Sequence, residues 1–133
     1  MAAGITIPED YRYLLERPLV ADLATVRPDG TPQVNAMWFK WDGEHLLFTH
    51  LPSRQKGRNV AHNPAVAISV IDPDDPYRHL EVRGVVERVD PDPEGDFFVE
   101  LAKWYDAPFG TDAPPDAADR TVLVVRPTKT STH

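Results

Sequence analysis

Apolar and polar positions alternate along this chain over short stretches, and turn-forming residues separate them. Tyr11, Leu14 and Leu15 recur at helical spacing behind Pro8, which suits a first helical position, so Pro8–Glu16 is expected to be a short amphipathic helix. Leu19–Val26 follows as a buried strand. Pro28-Asp29-Gly30-Thr31 is turn chemistry and makes Leu19–Val26 and Gln33–Trp41 a hairpin. Asp42-Gly43 favours a two-residue turn and pairs Gln33–Trp41 with His45–His50, so a three-strand meander is expected.

Ser53–His62 lacks strand alternation. It begins with a residue type suited to capping and stops at Asn63-Pro64, which predicts a helix of about two to three turns. Ala65–Ile71 is a β-branched apolar run, Asp72–Pro76 a loop, and Tyr77–Val89 a long strand with Gly84 as a bulge or bend. Phe97, Phe98, Leu101 and Trp104 fall on one face of a helix over Pro93–Tyr105. Ala107–Asp119 is a Pro- and Asp-rich loop, and Thr121–Val125 is the last apolar strand before Arg126-Pro127. The pattern therefore predicts a mainly β fold: a six-stranded antiparallel barrel, closed or partly closed, with helices inserted between hairpins. No G-x-G-x-x-G follows a strand, so a Rossmann fold has no support.

Composition narrows the function. At 133 residues the chain is expected to form one domain, 1–133. It has no cysteine, which removes thiol nucleophiles, disulfides, iron–sulfur ligation and Cys-based zinc sites, so any redox chemistry must come from a bound cofactor. A formal net charge of −7 argues against binding to nucleic acid or an anionic membrane surface. No apolar run approaches the roughly 20 residues of a membrane span, and Met1–Tyr11 lacks the features of a secretory signal, so a cytoplasmic protein is expected.

Within this acidic chain, Arg54, Lys56 and Arg58 crowd the start of a predicted helix with no acid among them. The positive end of a helix dipole disfavours that arrangement unless a phosphate sits there, where free backbone N–H groups, the Ser53 hydroxyl and the cations converge on it. The alternative is a solvated basic face paired with acids elsewhere. Gln33 and Asn35 share one face of their strand, with Val34, Ala36 and Trp38 on the other. Those amides suit the carbonyl and N–H edges of a heteroaromatic ring, or equally cross-strand bonding within the protein. His50, His62 and His79 lie on three separate elements without metal-ligand spacing, so no metal site is expected.

In this order the motifs resemble the pyridoxamine 5'-phosphate-oxidase-like split β-barrel superfamily, and within it the deazaflavin (coenzyme F420)-dependent oxidoreductases. Leu23–Val34 is similar to the family's first hairpin, Val34–Phe39 to its second strand, Ser53–Val60 with Asn63–Ile68 to its phosphate-binding helix and following strand, and Tyr77–Glu87 to its long strand. The resemblance implies a homodimer with two cofactor sites at the interface. Arg54 and Lys56, helped by Ser53, would hold the cofactor phosphate. Gln33, Val34, Asn35, Ala36, Met37, Thr49 and His50 would line the ring and ribityl chain, and Tyr77 and His79 would reach across from the partner subunit. The implied function is hydride transfer between reduced coenzyme F420 and a small organic substrate, with no particular residue implied as catalytic. The alternatives are an FMN-binding oxidase or reductase of the same fold and a non-catalytic cofactor carrier or sensor.

Overall fold

The computed structural model describes residues 5–133. Tyr11 N–H donates to Pro8 O at 3.0 Å, and Glu9–Tyr11 forms a 3₁₀ turn before a one-turn helix α1, Tyr13–Glu16. The helix expected over Pro8–Glu16 is thus broken in two, yet it still buries Leu14 and Leu15. Strand β1 (Ala21–Val26) starts two residues later than expected, after Arg17-Pro18. It pairs with β2 (Pro32–Met37) across a turn in which Gly30 takes a φ of +88° and Asp29 accepts from Thr31 N–H at 3.0 Å.

The meander is overturned. The expected single strand Gln33–Trp41 divides at Trp38-Phe39 into β2 and a two-residue β3, Lys40–Trp41, which pairs with β4, Leu46–His50. The seven strands form one antiparallel sheet in the order β2-β1-β5-β6-β7-β4-β3, with β5 at Ala65–Asp72, β6 at Asp75–Pro91 and β7 at Thr121–Thr132. Consecutive strands β2 and β3 therefore lie at opposite edges. Only two residues join them, so the sheet curls until its edges approach, which is a split barrel. The break has a chemical cause at Phe39: its N–H donates to the Tyr105 hydroxyl at 3.0 Å and its carbonyl lies 3.0 Å from the same oxygen. A side chain thus takes the Phe39 N–H that a strand neighbour would otherwise take.

The last strand continues through Pro127 to Thr132 instead of stopping at Val125. Proline lacks an N–H, but it falls opposite Gly84 where the register shifts, and Thr128 Oγ1 donates to Arg83 O at 3.2 Å across the irregularity. The expected bend at Gly84 is present, and its cause is contact: a Cβ there would lie 2.8 Å from both Arg126 O and Val125 Cγ1.

Helix α2 spans Gln55–His62 and α3 spans Asp96–Trp104. The core packs Leu23, Phe39, Phe48, Ile68, Leu80 and Leu123 inside the curl, with Leu14 and Leu15 closing one end. Among the described residues no helix is long and apolar enough to cross a membrane.

Candidate functional site

Two of the three cations that the sequence singles out line a cleft of about 460 Å³, while Arg58 turns back to Ser53 O and Gln55 Oε1. Arg54 and Lys56 from the start of α2 form one wall, and the ends of β2 and β4 bring in Ala36, Met37, Thr49 and His50. Gln33 and Asn35 line a neighbouring depression of about 300 Å³ that shares Arg54 and Lys56. Eight of the predicted residues therefore converge on one region.

Four do not. Val34 is exposed on the other face of β2, where it lines an outer groove with Ala67 and Glu81. Ser53 lies outside the helix: α2 begins at Gln55 with Arg54 as its N-cap residue and no side-chain cap, while the Ser53 carbonyl accepts from Arg58 Nη1 at 2.6 Å. Tyr77 and His79 sit on β6 away from this cleft, with Tyr77 exposed and the His79 ring stacked on His133 at 5.1 Å.

The uncapped start of α2 leaves its first backbone N–H groups without intrahelical acceptors, as at any helix start. Among the described residues neither Arg54 nor Lys56 enters an ion pair. The Lys56 ammonium donates instead to Met37 Sδ at 3.2 Å, a weak acceptor. Burial holds its pKa below the usual lysine value, and the Arg54 and Arg120 charges push it the same way. Unpaired, partly buried positive charge is costly unless an anion arrives. Gly57 lets the helix approach the preceding loop this closely: a Cβ there would stand 2.7 Å from Pro52 Cα and 2.8 Å from Leu51 O.

A second polar atom lacks a partner. Thr49 Oγ1 is buried against the cleft and makes no hydrogen bond. His50 beside it is 3% exposed, and its Nδ1 lies 2.6 Å from Thr121 Oγ1. Burial, reinforced by Lys56, lowers its pKa to about 4, so its imidazole is neutral at pH 7.

The amides of β2 are satisfied by the protein itself. Gln33 Nε2 donates to Asn35 Oδ1 at 3.1 Å, Asn59 Nδ2 donates to Gln33 Oε1 at 3.1 Å and Thr25 Oγ1 at 2.9 Å, and Gln55 Nε2 donates to Asn59 Oδ1 at 2.7 Å. Fully buried Asn59 ties α2 to β1 and β2. Its signal was a polar residue at i+4 from Gln55 inside the helix.

Opposite the cations the cleft is aromatic, a wall that the sequence reading left out of the site. Trp38 stacks on Tyr105 at 4.7 Å with 6° between planes and on Phe109 at 5.9 Å, and Phe98 meets Phe109 at 6.0 Å. The Tyr105 hydroxyl, which lies 2.7 Å from Leu19 O, is held by backbone groups, and burial pushes its pKa up to about 12. It is therefore a structural pin and a poor proton donor. Arg120 completes the cleft from the start of the last strand. Phe98 and Phe109 announce themselves only once the loop is folded over Trp38.

The architecture is thus an antiparallel split barrel in which unpaired cations stand beside an aromatic wall. The family profile described as pyridoxamine 5'-phosphate oxidase matches residues 7–133, and the chain belongs to that family, grouping with its F420 branch. A solved structure named F420 reductase is 65% identical, covers 94% of this chain and 98% of its own, and superposes with a TM-score of 0.91. A pyridoxine/pyridoxamine 5'-phosphate oxidase of Rhodopseudomonas palustris (strain BisB5) is 33% identical over 90 residues, 67% of this chain and 42% of that protein. Its counterpart in strain TIE-1 is 38% identical over 74 residues, 54% of this chain and 34% of the other. This chain thus spans less than half the length of the curated relatives it matches.

Proposed function

We propose that this protein is a deazaflavin-dependent oxidoreductase, which binds coenzyme F420 in the cleft and moves a hydride between it and a small organic substrate. One observation carries the reading: Arg54 and Lys56 stand without anionic partners at an uncapped helix start, beside the orphan hydroxyl of Thr49. That donor set fits a phosphate with a polyhydroxyl chain attached, which FMN also carries, and the 65% identity to the protein named F420 reductase tips the choice. Residues 1–133 would act as one cofactor-binding domain in the cytoplasm.

Bound, a deazaflavin supplies a two-electron hydride carrier that reacts poorly with oxygen. The chain's own part is binding and electrostatics. Arg54, Lys56 and the first N–H groups of α2 would hold the phosphate, and Thr49 would serve the polyhydroxyl chain. Neutral His50 offers a hydrogen bond without adding to the positive charge, while the Trp38–Phe109 wall excludes water from one face. Tyr105 is pinned and His50 is uncharged, so neither is suited to protonate the substrate.

The second half of the proposal is a homodimer. The outer face of β1, β5 and β6 holds an apolar groove of about 400 Å³ lined by Ala24, Val26, Ala65, Ala67 and Val85, and Val34 and Ile71 lie exposed on the same strands or their neighbour. The family resemblance has a second copy's Tyr77 and His79 complete the cleft in such a dimer.

Fluorescence titration with coenzyme F420 and separately with FMN tests the cofactor. Micromolar or tighter binding of F420, weaker FMN binding, and a loss of about 100-fold or more in Arg54→Ala/Lys56→Ala are expected, since each charge-assisted contact contributes about 1.5–3 kcal/mol. Preference for FMN would assign the protein to the flavin reading. Tight F420 binding with no turnover of the reduced coenzyme by any acceptor would make it a carrier or sensor.

A further inference from the structure

Arg120 differs from the other cations of the cleft because it brings its own counter-ion. Asp116 accepts from Arg120 Nε at 3.0 Å and from Nη2 at 3.2 Å, and the guanidinium lies over the Phe98 ring at 4.9 Å. The side chain is thereby fixed on two sides, by a fork and by a ring. Of the five N–H groups that any guanidinium carries, Asp116 takes two, which leaves donors for a further acceptor. Because the pair is close to neutral, a phosphate goes to Arg54 and Lys56. The free N–H groups of Arg120 suit an oxygen that carries little charge at first and gains charge during reaction. That oxygen would belong to a molecule lying against the aromatic wall, because Phe98 supports the guanidinium and also meets Phe109, which stacks on Trp38.

We propose that Arg120 is a substrate-binding residue that holds the carbonyl oxygen of a flat, conjugated substrate lying against the exposed Phe109 ring, with Asp116 as the positioning residue that sets its fork. The assignment rests on the deazaflavin reading for its hydride donor. When the β-carbon of a conjugated carbonyl compound accepts a hydride from the reduced deazaflavin, a C–H bond forms there. The C=C π pair shifts toward the α-carbon and the carbonyl oxygen, and water delivers a proton to the α-carbon. The substrate gains two electrons and the coenzyme loses two. Negative charge passes through the oxygen that Arg120 holds, so the contact is stronger in the transition state than before it.

The test uses 4-(dimethylamino)cinnamaldehyde, a flat probe whose absorption moves to the red when its carbonyl oxygen accepts a strong hydrogen bond. A red shift is expected on mixing it with the protein, with oxidised coenzyme F420 or without, and no shift is expected with Arg120→Gln. With reduced coenzyme, Arg120→Gln should bleach the probe about 100-fold more slowly, as removal of one oxyanion donor does elsewhere. Arg120→Lys should recover part of the rate, and Asp116→Asn should lower kcat about tenfold with KM little changed. Coenzyme affinity should stay within twofold in all three, which also reports that they fold. The proposal is overturned if the unaltered protein leaves the probe spectrum unmoved, or if Arg120→Gln keeps the shift and the rate. A tenfold loss of coenzyme affinity in Arg120→Gln would overturn it too, by making Arg120 a coenzyme ligand. Failure of the unaltered protein to bind F420 sinks the deazaflavin reading instead, and the shift in coenzyme-free protein still reports the hold on the carbonyl.

Discussion

His50 joins the electrostatics of the cleft to the stability of the fold. Its pKa in the folded protein is about 4, against 6.5 for an unburied histidine, with burial as the main cause and Lys56 as the second. The unfolded chain therefore takes up the proton first as pH falls. The stabilisation linked to neutral His50 is complete above pH 6.5, declines as pH falls below it, and is gone below about pH 4. The shift corresponds to about 3 kcal/mol at most. Urea unfolding of the unaltered protein and of His50→Gln at pH 7 and pH 4 should show the unaltered protein losing more stability by up to that amount. Inorganic phosphate, by offsetting the Lys56 charge, should reduce the difference. At this scale the sequence was partly legible. Arg54 and Lys56 stood out because no acid accompanied them, whereas the bond that Asn59 makes to Gln33 was hidden because Asn59 comes from another element.

Among the elements, α2 carries most of the site, and its position depends on Gly57. In a helix interior Gly→Ala usually gains about 1 kcal/mol from propensity. Here the new Cβ would meet backbone, Pro52 Cα at 2.7 Å and Leu51 O at 2.8 Å, and backbone cannot rotate away as a side chain can. Strain of overpacking, typically 1–3 kcal/mol, exceeds the propensity gain. Gly57→Ala should therefore lower the unfolding free energy by about 1–2 kcal/mol, and it should weaken coenzyme binding more than this loss of stability alone requires, because relief of the clash moves Arg54 and Lys56 with the helix. Denaturant unfolding and a coenzyme titration on the same variant separate the two effects. Turn chemistry made the first hairpin legible, since Asp29 and Gly30 act locally. The division of β2 from β3 was not legible: Trp38-Phe39 reads as strand, and what ends the ladder there is the hydroxyl of Tyr105, more than sixty residues away. Likewise Pro127 argued for a strand end, and only its placement opposite Gly84 makes it harmless.

For the whole molecule, the surface decides. An acidic chain with an apolar groove across the outer face of β1, β5 and β6 has reason to cover it with a second copy. Ala67, which lines the groove, is the place to test this, because a charge there leaves the inner core untouched. Light scattering should give the unaltered protein twice the 14.9 kDa chain mass, and Ala67→Glu should give the single-chain mass with an unchanged far-ultraviolet spectrum. A monomeric unaltered protein would remove the partner's Tyr77 and His79 from the site. The barrel itself could be read from the order of strands and turns, but not its closure, because closure depends on which edges meet and not on which residues alternate.

Strand β2 lies at one end of the sheet and has a hydrogen-bonded neighbour on one side only. In an antiparallel strand of that kind, every second residue turns its N–H and C=O outward. A ligand ring docked along that border would be gripped by groups common to all amino acids, so the side chains from Gln33 to Met37 could drift over generations while the grip persisted. Heredity would then preserve the ligand in the path of the chain rather than in the letters along it, and two descendants with dissimilar residues there could still share one coenzyme.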